Sequence, residues 1–198
     1  MKLQVLGRLA GALALTVGLA GCIDMTMDVE VLSETEARAT TTSTMGADFY
    51  AMAKAGAAGE DSSEGFCEED GSELTENADG SATCVLTVEG KFADLGLGED
   101  NSASFTVVGP GLVRVAFKTE DMKTELGTEE QDAQTKAMMQ SFFEGHAITL
   151  RIGGRDVTET NMTLAGDRKS AETVIPFLDL INGTLALPDE LFAVVRVR

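Results

Sequence analysis

An apolar run that ends abruptly at a cysteine decides which part of this chain builds the folded unit. Residues 9–21, LAGALALTVGLAG, follow the basic residues Lys2 and Arg8 and stop at Cys22. A positive start, a short apolar stretch and small residues before the break form the layout of an export signal. A membrane-spanning helix needs roughly 20 consecutive apolar residues, and this run is shorter. Residues 1–21 are therefore expected to be removed. Residues 22–198 are expected to form one domain, long enough to bury a core of its own.

Ordinary secretory signals end in small residues such as A-x-A and need no cysteine. Leu19, Ala20, Gly21 and Cys22 instead resemble the bacterial lipobox. That resemblance implies a diacylglyceryl group on the Cys22 sulfur, cleavage before Cys22 and acylation of the new amino terminus. Each buried methylene contributes about 0.8 kcal/mol, and a single chain holds a protein only marginally. Two or three chains on Cys22 make a stable anchor, so the expected partner is a membrane of a bacterial cell envelope, with the domain facing the periplasm or the exterior. In lipoproteins of Gram-negative bacteria an aspartate directly behind the cysteine favours inner-membrane retention. Ile23 occupies that place here, which by analogy favours the outer membrane.

Charge narrows the partners further. The chain has 33 acidic and 15 basic residues, a formal net charge of −18, and loss of Lys2 and Arg8 with the signal leaves −20. Nucleic acid and anionic lipid surfaces repel such a chain. Trp is absent and Tyr50 is the one tyrosine, which argues against an aromatic platform for sugars or bases. With Cys22 lipidated, Cys67 and Cys84 remain as an even pair in an oxidising compartment, and a disulfide between them is expected. Closing that loop stabilises the fold by roughly 3 kcal/mol in the chain-entropy model. A metal site is the weaker reading, because His146 is the one histidine and no C-x-x-C occurs.

Directly behind Cys22, Met25, Met27, Val29 and Val31 alternate with polar residues, the period of a half-buried strand. EARATTTSTM suits a second strand, since threonine fits a pleated surface, and residues 32–35 then close a hairpin. ADFYAMAKAG predicts a helix with Phe49, Met52 and Ala53 on one face, ended by Gly56 and Gly59. Residues 59–84 open as an acidic, glycine- and serine-rich loop stapled by Cys67, with turn signals at Asp70-Gly71 and Asp79-Gly80. In the strand that follows, Cys84 shares a face with Leu86 and Val88. Phe105 and Val107, then Val113, Val115 and Phe117, mark two strands joined through Gly109-Pro110-Gly111. A second helix is predicted from the capping-box pair Thr128 and Gln131, through Ala137 or Met138, Ser141 and Phe142, to Gly145. HAITLRIG is a strand interrupted by Gly153-Gly154. Two short strands flank residues 165–167, and LFAVVRVR closes the chain as another. The expected class is α+β, a mostly antiparallel sheet packed against two helices.

This order of elements, from CIDMTMDVEV to ITLRIGGRDVTETNMTLAGDRKSAETVIPF, resembles the LppM-like lipoprotein domain of bacterial envelopes. The softer motifs that carry it are Val157 after a glycine, then Asn161, then a glycine turn and another strand. Some members of that family carry a carboxy-terminal membrane helix. The cysteine-stapled acidic segment departs from the family pattern. The resemblance implies an α+β envelope domain with no established catalysis.

Sites for chemistry are sparse. His146 stands at a helix-to-strand junction, where a solvated or capping role is commoner than acid-base catalysis. No G-x-S-x-G elbow occurs. EF-hand registers placed on Gly71 or Gly80 fail at positions one and twelve, leaving Glu68, Glu69 and Asp70 as an irregular calcium reading beside that of a solvated loop. Gly96-Leu97-Gly98 runs into Glu99 and Asp100, which repel a phosphate. Met25 with Met27 and Met138 with Met139 admit two readings, ordinary core packing or a pliable apolar lining for a lipid between sheet and helix. No catalytic residue, cofactor or metal ligand is assigned. The expected role is an anchored binding or structural module for an envelope protein or lipid, with acyl-chain handling as the alternative.

Overall fold

The computed structural model describes residues 23–57, 66–97, 103–119, 137, 140 and 143–197. The export segment, the lipobox and Cys22 lie outside the described residues, as do Thr128, Gln131, Met138, Met139, Ser141 and Phe142 of the second expected helix. Ala137, Gln140 and Phe143 are helical.

The expected amino-terminal hairpin forms. Strand β1 (Ile23–Val31) pairs antiparallel with β2 (Glu36–Met45), in a register that sets Val29 against Ala39 and Met25 against Ser43. Ser33 closes the turn by accepting bonds from the Thr35 and Glu36 amides at 3.2 and 3.0 Å. Helix α1 (Ala47–Ala57) follows, then β3 (Glu73–Glu76), β4 (Ala82–Lys91), β5 (Ala103–Gly109), β6 (Leu112–Lys118), β7 (Ala147–Gly153), β8 (Asp156–Thr160), β9 (Thr163–Leu164), β10 (Ser170–Pro176), helix α2 (Phe177–Ile181) and β11 (Glu190–Arg196). Seven strands form one sheet in the order β3-β4-β2-β1-β7-β10-β9, and four form a second in the order β5-β6-β11-β8. Only β1 and β7 run parallel among the described pairings. A parallel pair needs a long crossover, and here β5 and β6 of the second sheet fall within it.

The main core lies between the two sheets. Val29, Val31, Ala37, Ile152 and Ile175 from the larger sheet join Val113, Val115, Leu191, Ala193 and Val195 from the smaller one. Burying a side chain of this size contributes roughly 1.5–3 kcal/mol, so this interface supplies most of the driving force. Gly154 permits its close approach: a Cβ there would lie 2.4 Å from Val195 Cγ1 and 3.1 Å from the Val31 carbonyl oxygen.

Several expectations are corrected. The larger sheet packs chiefly against another sheet, since α1 sits at one end and α2 is only five residues long. Gly56 does not end α1, which runs to Ala57. Met52 is 57% exposed, and Tyr50 takes the buried place beside Met45 and Ala82, flanked by Phe49 and Ala53. The contacting set is thus 49, 50 and 53, because the helix leans on the sheet through its one large amphipathic ring. The acidic segment contains a strand, β3, whose four residues are all exposed. An edge strand with no buried face leaves no alternation to read. Strand β8 and helix α2 were not anticipated; β10 stops at Pro176, whose missing amide cannot extend the ladder. Phe105 stacks on Phe92 at 4.5 Å as a covered residue, whereas Val107, two places along on the same face, is 49% exposed.

Candidate functional site

Two rows of side chains cross the inner face of the larger sheet at the end where β1 begins. The register places Met25 beside Ser43 and Ser43 beside Cys84; the next row runs from Met27 to Thr41 to Leu86. On the other flank Ile148 and Leu150 of β7 adjoin the two methionines. Farther along this face the second sheet covers Val29 and Val31 completely or nearly so. Over the two rows it does not, and a groove of about 810 Å³ opens there.

The segment from Phe66 to Glu69 forms one wall of the groove. It is held down covalently, because Cys67 is joined to Cys84 in the sheet, with a Cα–Cα separation of 5.4 Å. Cys67 sits at φ +73°, a left-handed conformation that non-glycine residues adopt at a cost. The Ser72 hydroxyl helps hold that turn by donating to the Cys67 carbonyl at 3.1 Å. Phe66 meets the Tyr50 ring edge-on at 6.1 Å, linking the wall to α1. The Tyr50 hydroxyl and the Lys54 ammonium both donate to Glu76 of β3 at 2.7 Å. Those two bonds, Lys54's first, hold the Glu76 carboxyl below its usual range, and the same carboxylate pushes the Tyr50 and Lys54 pKa values up.

The floor is chemically mixed: thioethers, a leucine, a disulfide and two hydroxyls, with the carboxylates of Glu68 and Glu69 at the rim. Thioether side chains adapt to irregular apolar shapes. Rim carboxylates disfavour anionic head groups and tolerate neutral or cationic ones. The geometry therefore suits a slender apolar chain or an apolar side chain from a partner.

The residues picked out from the sequence distribute unevenly about this site. Cys67 and Cys84 come together as expected, and Met25 and Met27 line the groove. Leu19, Ala20, Gly21 and Cys22 lie outside the described residues. Glu68 and Glu69 reach the rim, but among the described residues no group of three or more His, Cys, Asp or Glu is arranged to hold a metal ion. His146 is neither solvated nor free: its side chain is 13% exposed, and Nδ1 lies 3.1 Å from Asp24 Oδ2. Asp24 Oδ1 accepts the Ala147 amide at 3.0 Å, so the pair fastens the start of β7 to the start of β1. Sequence reasoning missed Thr41, Ser43 and Phe66 as lining. The alternation in β2 places the first two on the inner face, but nothing local shows that this end of the face stays open.

No family model matches the chain. No curated protein matches it in sequence. A comparison of folds finds similarity to the NMR structure of the folded domain of the Mycobacterium tuberculosis LppM protein, at 10% sequence identity and a TM-score of 0.47, over 92% of this chain and 94% of that one.

Proposed function

We propose that this chain is a bacterial envelope lipoprotein, held at a membrane by acyl chains on Cys22 and presenting a two-sheet domain that binds an envelope partner rather than catalysing a reaction. The observation that supports the reading best is where β1 begins. Its first residue is Ile23, directly behind the expected lipid-bearing cysteine, so no tether separates the domain from the bilayer. At about 3.3 Å per strand residue, Met25 stands within roughly 10 Å of Cys22. The partner is an envelope protein or a lipid; the net charge of −18 argues against nucleic acid. Ile23 behind the cysteine favours the outer membrane where the host is Gram-negative. Mass spectrometry of the amino-terminal peptide tests the anchor. A diacylglyceryl and acyl mass increment on Cys22 is the expected result, and an unmodified thiol defeats the reading.

One observation favours a second, narrower reading. The groove over Met25, Met27 and Leu86 lies at the membrane-proximal end and is large enough for part of an acyl chain. In that reading the protein withdraws an acyl chain from the bilayer, with Phe66 and the disulfide as its outer wall. Native mass spectrometry of the protein released from neutral detergent discriminates the two. Co-purified lipid that disappears in a Met27→Glu variant supports acyl handling. A lipid-free mass, together with crosslinked protein partners, supports the broader binding module.

A further inference from the structure

At the opposite end of the larger sheet, where β1 finishes, three turns enclose a second cleft of about 600 Å³, lined in part by Glu30, Arg38, Gly154, Arg155, Lys169 and Val197. Its walls are stitched together. The Gly154 amide donates to the Lys169 carbonyl at 2.9 Å, and the Val157 amide donates to the Arg168 carbonyl at 2.7 Å. Gly154 is wedged against Val195 with no room for a Cβ. Arg155 and Lys169 therefore rise from backbone held by the packing of the two sheets.

The cations around this cleft are not equivalent. Arg38 is engaged by Glu30 at 2.8 Å and Glu89 at 2.7 Å. Arg151 faces Asp28, and Arg168 faces Asp156, each at 3.6 Å. Arg168 also donates to the Val157 carbonyl at 3.1 Å. Arg155 and Lys169 make no side-chain hydrogen bond or ion pair with any described residue. A chain with 33 acids has carboxylates to spare, yet none of the described ones is spent on these two. Within the lining, Glu30 and Arg38 offset one another, and Arg155 and Lys169 leave two positive charges uncompensated.

We propose that this cleft binds a phosphate monoester. A monoester carries a charge of about −1.5 to −2 at neutral pH, which matches the two uncompensated cations; a carboxylate or phosphodiester carries half as much. Arginine offers a planar fork to two phosphate oxygens, and lysine a point charge to a third. The volume exceeds what a bare phosphate fills, leaving room for the esterified group. The overall negative charge of the protein repels extended polyanions. A small dianion inside the cleft responds to the local pair, because charges beyond about 8 Å are screened at physiological salt. This site is independent of the anchor and of the methionine groove.

The test is isothermal titration calorimetry on the full-length protein in neutral detergent, titrated with phenyl phosphate, methyl phenyl phosphate, inorganic phosphate and benzoate. Phenyl phosphate is expected to bind most tightly, with an affinity that weakens as pH falls below about 6, where the monoester dianion takes up a proton and becomes a monoanion. Arg155→Ala combined with Lys169→Ala should weaken it at least about tenfold, in line with the loss of charged hydrogen bonds. Both side chains are exposed, so the thermal melt should not move. Lys118→Ala, an exposed cation outside the cleft lining, should leave the affinity unchanged. Equal binding by the double variant, equal loss in Lys118→Ala, or benzoate, the diester or inorganic phosphate binding as tightly as phenyl phosphate would each overturn the proposal.

Discussion

The two ends of the larger sheet's inner face are built from the same strands but by different chemistry. At one end Val29, Val31, Ala37 and Ile152 lie at 0–3% exposure under the second sheet. At the other, Met25, Met27, Thr41, Ser43 and Cys84 are only half-buried, and a short disulfide-tied segment replaces the second sheet. β-Branched side chains have few rotamers and pack into one arrangement. Thioethers and hydroxyls give a looser surface that can accept different shapes. The contrast separates an end that holds the fold together from an end that can be remodelled without unfolding it.

The sharpest way to break this distinction is at the covered end. Ile152→Ala removes buried volume from the inter-sheet core and should cost about 4 kcal/mol in chemical denaturation. A loss comparable to that of an exposed position would mean that the second sheet does not carry the fold. Removing the staple with Cys67→Ala and Cys84→Ala should cost roughly 3 kcal/mol by the loop-closure argument. That loss should come with increased binding of a hydrophobic dye at the methionine groove, because the wall is no longer tied to β4. Unchanged dye binding would show that the wall stays down without its disulfide.

Met27→Ala, in the open end, should cost only about 1 kcal/mol, since the side chain is half-exposed and leaves no closed cavity. Denaturation midpoints for Met27→Ala and Ile152→Ala measured side by side sharpen the comparison directly. A Met27→Ala cost equal to that of Ile152→Ala would place the methionine in the core.

The smallest effects are pH-dependent and opposite in sign. Hydrogen bonds from Lys54 and Tyr50 lower the Glu76 pKa in the folded state. Its contribution is therefore present above the ordinary glutamate value of about 4.3 and is lost as pH falls through the lower folded value. Asp28 is raised, first by burial, with the Arg151 charge acting against that shift and Glu30 adding to it. Its contribution is full below the ordinary aspartate value of about 3.9 and is lost as pH rises through the higher folded value. Thermal melts at neutral pH should show Glu76→Gln less stable and Asp28→Asn more stable than the parent, with both differences closing in acid. Parallel melting curves across that range would remove both assignments.

Much of the fold was legible because much of it is local. The β1–β2 hairpin follows from alternation at Met25, Met27, Val29 and Val31 and from the turn at residues 32–35. The β5–β6 hairpin follows from Gly109-Pro110-Gly111, where Gly111 takes φ +68°. Cysteine parity predicted the Cys67–Cys84 bridge. The groove was legible only in part. Met25 and Met27 stand out in the sequence as a pliable pair, but their neighbours Thr41, Ser43 and Phe66 come from segments whose proximity no local pattern states. The same limit hid Arg155 and Lys169, which look like two surface cations until the turns carrying them are joined.

The sequence alone determined which residues alternate, where the chain must turn and that Cys67 and Cys84 could pair. These follow from bond geometry, side-chain volume and the positive φ that glycine allows, all of which act over a few residues. Only the tertiary structure decided that β1 lies parallel to β7, that the second sheet covers one end of the larger sheet's inner face, and that Arg155 and Lys169, neither paired with a described carboxylate, line one cleft. Periodicity names the face a residue occupies, but what lies over that face depends on contacts between segments far apart in the chain, whose free energy no short stretch contains.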